Sequence, residues 1–310
     1  QIYFSVVTDH REKKLTLESF EQFDEFTNSH SVLNFPRYRY YYHILVNLKA
    51  NQQKDTKKFF RNSQDALHFF DNYNFSLPAY TRFIFLINLI PILIEQKKYH
   101  QVEGNINACL SLIAKGDTNW HSVMLYKALY GFQTNKPSIS LAAWKKAQKY
   151  LVRKDKTIID RWLMIGGFLA FYHQIGRLHF PKEFRLWKFV NTISQGKRDY
   201  AQKANVLCLE LIHTLTANKL SRFTDKVLTL DSTITRYFRG KSYNRTKYFL
   251  KCMQSVLKGN FTANGAKRHA TLYAEKLLTP PSTYDLNRME KEMVPYDLLW
   301  QEIIRFLQKK

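Results

Sequence analysis

Residues 236–251, RYFRGKSYNRTKYFLK, interleave cations with aromatic rings. Arg236, Arg239, Lys241, Arg245, Lys247 and Lys251 alternate with Tyr237, Phe238, Tyr243 and Tyr248. Cations attract phosphates, and aromatic faces accept unstacked bases, so this composition suits a surface for single-stranded nucleic acid. It also arises where rings fill the space between helices and cations lie on the exposed faces of the same helices. Two further basic clusters precede it. One holds Lys145, Lys146, Lys149, Arg153, Lys154 and Lys156, the other Lys182, Arg185, Lys188, Lys197 and Arg198. The candidate polyanion-binding set drawn from the three is Lys145, Lys146, Lys149, Arg153, Lys154, Lys182, Arg185, Lys188, Lys197, Arg198, Arg236, Arg239, Lys241, Arg245 and Lys247.

The rest of the chemistry is sparse. No CxxC, HExxH, phosphate-cradling glycine loop or GxSxG elbow occurs. Ten histidines are scattered, and His173 and His179 stand six apart across an expected helix end, a poor spacing for a metal. Asp160 (in IIDRW) and Glu210 (in CLELIH) are the most unusual acids, because apolar residues flank them; burial against an Arg or Lys is the expectation for each. No cofactor is expected. Cys109, Cys208 and Cys252 each lie in an apolar helical run, far apart, and read as buried free thiols. Unpaired cysteines suit a reducing compartment and give a cytoplasmic expectation.

Charge is unevenly spread. The formal net charge is +23. Residues 101–250 hold 25 Lys/Arg against 9 Asp/Glu, compared with 13 against 10 before them and 10 against 6 after. A zone that basic attracts nucleic acid, an acidic protein surface or anionic lipid. The run Phe83–Ile94 is too short, and too interrupted by Asn88 and Pro91, for a transmembrane helix. Gly and Pro are scarce, at 10 and 8, which argues against a many-turned β-sandwich and against a disordered chain.

These residues must be positioned by helices. The clearest unit is Ser76–Ala114, in which Phe83, Phe85, Leu86, Leu89, Ile90, Leu93 and Ile94 belong to one helix. Val102, Ile106, Cys109, Leu110 and Ile113 fall at helical spacing in a second. Between them Glu95-Gln96-Lys97-Lys98 is a turn short enough to fold the helices side by side. Weaker versions recur, their first helices beginning near 37, 77, 118, 157, 198, 242 and 284. Helix 157–177 is nearly all apolar at its centre and reads as a buried spine. Its Gly166-Gly167 pair marks close approach of a neighbour. The segment 221–238 reads as one helix, and 15–28 as a short acidic amphipathic helix. A period of about 40 residues with two helices per period predicts an all-α solenoid of about six to seven antiparallel hairpins, because one hairpin alone cannot bury both its apolar faces.

The spacing Leu89…Leu93…Lys98-Tyr99…Val102…Ile106…Cys109 resembles the tetratricopeptide-repeat motif. Gly259-Asn260-Phe261 resembles that motif's turn into its second helix, and Phe223 lies at the equivalent place of another pair. Ile90 replaces the usual Gly, and Val102, Lys226 and Asn264 replace the usual Ala. The resemblance covers most of 37–278 and implies a right-handed superhelix used for scaffolding, with no fixed catalytic residues. The domain expectation is an N-terminal helical segment over 1–36 that continues an upstream region, the array over 37–278, and a capping helix over 279–310. The leading functional expectation is a non-catalytic scaffold that binds another protein, one with an acidic surface. RNA or single-stranded DNA bound by the basic middle is the alternative. A third reading, an enzyme whose site lies outside this stretch, would need an upstream domain.

Overall fold

One turn geometry recurs through most of the molecule. In a computed structural model, which describes residues 35–53, 55–72, 79–151, 155–181, 185–194, 200–279 and 292–310, Lys97, Asn135, Gly176, Asn218 and Asn260 each take left-handed backbone. They lie about 40 residues apart. At each, the following residue bonds the carbonyl five positions back: Lys98 to Leu93, Lys136 to Gly131, Arg177 to Tyr172, Lys219 to Thr214 and Phe261 to Val256, all at 2.8–3.0 Å. The left-handed residue itself bonds the carbonyl three back. This double closure satisfies carbonyls that a helix end otherwise leaves bare and stops the helix within one residue. Only Gly176 is the glycine such a turn favours; three of the others are asparagine, the side chain best suited to that backbone after glycine.

The described residues form fourteen α-helices and one 3-10 turn, with no strand among them. By compactness the chain divides at Ile92/Leu93, inside a helix. The first unit contains α1 (Pro36–Gln52), α2 (Thr56–Asp71) and the start of α3 (Ala79–Glu95). Pro36 opens α1 where its missing N–H costs nothing. Asp55 caps α2 by accepting from the Lys58 N–H at 2.9 Å. A buried polar network joins α1 to α2: His43 Nδ1 bonds Asn62 Oδ1 at 2.8 Å, and the Asn62 amide donates to the His43 carbonyl and to Asn47 Oδ1. Asn47 in turn donates to Ser63 at 2.9 Å. Ala66, Phe70 and Phe85 close an apolar cluster beside it. Network and cluster together fix which faces meet.

The second unit runs from Leu93. It holds α4 (Tyr99–Ser111), α5 (Thr118–Gln133), α6 (Pro137–Gln148), α7 (Lys156–Gln174), α8 (Leu186–Ser194) and α9 (Tyr200–Thr216). Then come α10 (Leu220–Leu228), α11 (Leu230–Tyr237), the 3-10 turn Lys241–Tyr243, α12 (Asn244–Lys258), α13 (Ala263–Leu278) and α14 (Tyr296–Gln308). Helices pack in a consistent order. α5 packs on α7, α7 on α9, α9 on α12 and α12 on α14, while α6, α8, α10 and α13 each pack beside their sequence neighbours. Burial follows that order: twelve of the seventeen residues of α9 are buried, but only two of the nine of α10. α7 is the spine the sequence predicts, with Trp162, Phe168, Phe171 and Tyr172 among the largest fully buried side chains.

A neighbour explains the first glycine of the pair in α7. A Cβ at Gly166 would stand 3.2 Å from the Trp144 indole nitrogen, which donates to the Trp162 carbonyl at 3.3 Å. The Gly167 carbonyl accepts from buried His213 Nε2 of α9 at 2.9 Å. The single helix expected over 221–238 is instead two, α10 and α11, meeting at Thr229. Thr229 Oγ1 bonds the Lys226 carbonyl, and Ser232 and Thr233 hydroxyls bond the Thr229 carbonyl. Hydroxyls competing for these backbone groups make an interruption that neither Gly nor Pro announces. The expected helix 15–28 and the start near 284 lie outside the described residues, and residues 1–34 of the expected N-terminal segment do too.

A candidate polyanion-binding surface

The basic and aromatic residues of 236–251 divide between two environments. Tyr237 ends α11, and Phe238, only 1% exposed, anchors the chain before the 3-10 turn. Phe238 holds the Tyr243 ring at 5.5 Å. Tyr200, at the first position of α9, is 49% exposed and meets Tyr237 at 6.4 Å and Tyr243 at 6.3 Å between ring centroids. Lys203, one turn along α9, places its ammonium 5.1 Å over Tyr200 and 4.5 Å over Tyr237. Arg236 lies 5.2 Å over Tyr237. Such cation–ring contacts are worth about 0.5–1 kcal/mol at exposed sites, enough to organise a surface without locking it. Arg236, Arg239 and Lys241 are exposed. Arg239 donates to the Thr235 carbonyl at 2.6 Å and Lys247 to Asn244 Oδ1 at 3.0 Å, bonds that orient the cations without neutralising them. No carboxylate pairs with Lys203, Arg236, Arg239, Lys241 or Lys247 among the described residues.

Arg245 belongs to the other environment, and the structure takes it out of the candidate set. Its guanidinium grips Glu292 with two parallel bonds of 2.9 Å, adds Asp297 at 2.9 Å, and donates to the Leu277 carbonyl. The side chain is 14% exposed, and that of Glu292 4%. Burial opposes the charge, but the two carboxylates more than offset it and hold Arg245 protonated. Glu292 also accepts the Tyr296 N–H at 2.7 Å, so one cluster joins α12, the end of α13 and the start of α14. Lys251 likewise leaves the aromatic surface, bonding Asp231 at 2.6 Å.

The two earlier clusters lie on the less buried helices. Lys145 and Lys146 are exposed on α6 and Lys149 just beyond it, while Arg185 and Lys188 are exposed around the start of α8. Arg153, Lys154, Lys182, Lys197 and Arg198 lie outside the described residues. Sequence reasoning missed Tyr200 and Lys203, since they sit about 40 residues upstream of the stretch they complete. Their only signal was a ring and a cation one helical turn apart.

Other candidate chemistry resolves into structure. Glu210 is buried and bonds Lys226 at 3.0 Å, the pairing expected of it. Asp160 is buried. The three cysteines are buried and unpaired, and burial pushes each thiol up to about 12, which keeps them protonated and unreactive. His173 and His179 come closer than their spacing suggests, with ring centroids 5.6 Å apart. Among the described residues no group of three His, Cys, Asp or Glu side chains is arranged to hold a metal, and no helix is long and apolar enough to cross a membrane. The chain matches no family model, and neither a curated protein nor a solved structure matches it.

Proposed function

We propose that the chain is a non-catalytic helical-repeat scaffold, tetratricopeptide-like in layout, that binds another protein with an acidic surface. The observation carrying this reading is the recurrence of one capped turn five times, 38 to 42 residues apart. It gives successive helix pairs the same hand-off, so a row of exposed helices is displayed on a buried row. The exposed row bears Lys145, Lys146 and Lys188. A long surface of repeated, cation-bearing helices suits a partner that brings carboxylates to several pairs at once. Affinity capture from the native cell, with and without nuclease, tests it. A protein retained after nuclease and released by salt is expected; recovery of nucleic acid alone would overturn it.

The aromatic–cation surface favours a second reading, RNA or single-stranded DNA. Tyr200 lies within ring contact of both Tyr237 and Tyr243, and cations without carboxylate partners border this group. Phosphate contacts weaken steeply with salt. Binding of oligouridylate that stays flat across a salt titration removes this reading and leaves the first in place.

A further inference from the structure

Two neighbouring cavities flank the outer side of α14. The larger, about 550 Å³, is lined by Asn135, Arg177, Glu302, Arg305, Phe306 and Lys309 among others. The smaller, about 320 Å³, is lined by Lys267, Trp300, Ile304 and, again, Arg305 and Gln308. Shared residues make them two halves of one depression divided by Arg305. Its charge is strongly one-sided. Among the described residues Glu302 is the sole side-chain carboxylate in either wall; its side chain is 3% exposed, and one of its oxygens takes both Arg305 at 2.8 Å and Arg177 at 3.5 Å. One buried acid thus holds two guanidiniums in place while neutralising the equivalent of one. Lys309 and Lys267 have no carboxylate partner among the described residues. Cations are expected near helix C-termini, and Arg305 in the last turn of α14 and Lys309 at its C-cap stand at such an end, but a helix end carries only about half a negative charge, so an excess of cations remains.

Two features point to a peptide as the occupant. Gln301 and Gln308 add side-chain amides that pair with extended backbone. An apolar foothold, half-buried Phe306 with Ile175, stands on one side of Arg305. We propose that an acidic, extended peptide segment of the partner protein docks across α14, its carboxylates on Arg305, Lys309 and Lys267 and an apolar side chain beside Phe306. The proposal rests on the reading of the chain as a protein-binding scaffold and names where and by what chemistry it binds.

The test is fluorescence anisotropy of a labelled glutamate-rich peptide with a central phenylalanine, titrated with the whole chain. Arg305→Gln and Lys309→Gln are each expected to weaken binding about tenfold, and Lys203→Gln on the distant aromatic surface to leave it unchanged. Lys309→Gln leaves the Glu302 pairs intact, so its effect is not one of folding. Peptide binding that ignores both α14 variants overturns the α14 site while sparing the scaffold reading. A chain that binds oligouridylate in an Arg305-dependent way, but not the peptide, overturns both.

Discussion

Arg245 and Lys203 are both cations packed against the α9–α12 region, and they do opposite things. Arg245 lies in a stretch whose composition suits a polyanion surface, yet Glu292 and Asp297, some fifty residues away in sequence, draw it into a buried cluster. Lys203 lies outside that stretch, yet tyrosines from three segments gather around it and leave its charge uncompensated. Composition therefore sets how many cations a segment carries. Whether a cation becomes structure or surface depends on which carboxylates the fold brings to it, because a buried charge is tolerated only when paired and hydrogen-bonded.

Removing Arg245 is the strongest way to break this contrast. Arg245→Leu leaves Glu292 buried without its partner and is expected to cost about 3–5 kcal/mol in urea denaturation. Replacing Glu292 by Leu in the same chain should restore much of the loss. If Arg245→Leu alone is neutral, the cluster is not a structural tie. His213 extends the rule to a neutral group. Burial lowers its pKa to about 4, while the Gly167 carbonyl acts weakly in the other direction. A depressed folded pKa means that the unfolded chain takes up a proton from pH 6.5 downward while the folded chain refuses it until about pH 4. Stability is therefore full above 6.5 and falls through that window, by about 3 kcal/mol at most. Burial lowers His43 as well, which adds in the same direction. Denaturation midpoints on either side of the window check this, and His213→Gln, which keeps a donor for Gly167, should flatten the profile.

Lys251→Gln removes the pair with Asp231, whose side chain is 68% exposed. Exposed pairs are screened, so a loss of about 0.2–1 kcal/mol is expected. Lys203→Gln has the smallest effect on folding, within about 0.5 kcal/mol. If the aromatic surface binds oligouridylate, the same change should lower the salt slope by about one. A large stability loss from Lys203→Gln would erase the distinction between the two cations.

Much of the architecture was readable. The apolar spacings placed the starts of α1, α3, α5, α7, α9 and α12 within two residues of 37, 77, 118, 157, 198 and 242. Gly166-Gly167 announced close approach, and Trp144 supplies it at Gly166. Glu210 was expected against a cation and meets Lys226. The break at Thr229 was hidden, because hydroxyl–carbonyl bonds leave no Gly or Pro behind. Of the polyanion set, the exposure of Lys145, Lys146 and Lys188 followed from helix faces, but the loss of Arg245 and the recruitment of Lys203 did not.

The sequence by itself determined the helical class, the interval of the repeat, the apolar faces and the basic middle, because each is written in spacing and composition a few residues at a time. Only the tertiary structure decided that Arg245 is a tie, that Tyr200 and Lys203 complete the aromatic surface, and that Glu302 orients two arginines beside α14. Apart from Glu302–Arg305 and Lys203–Tyr200, each three residues apart, those outcomes depend on partners 34 to 125 residues apart. Electrostatic and ring contacts act over a few ångströms of space, and no local pattern in the chain encodes which distant groups will come that close.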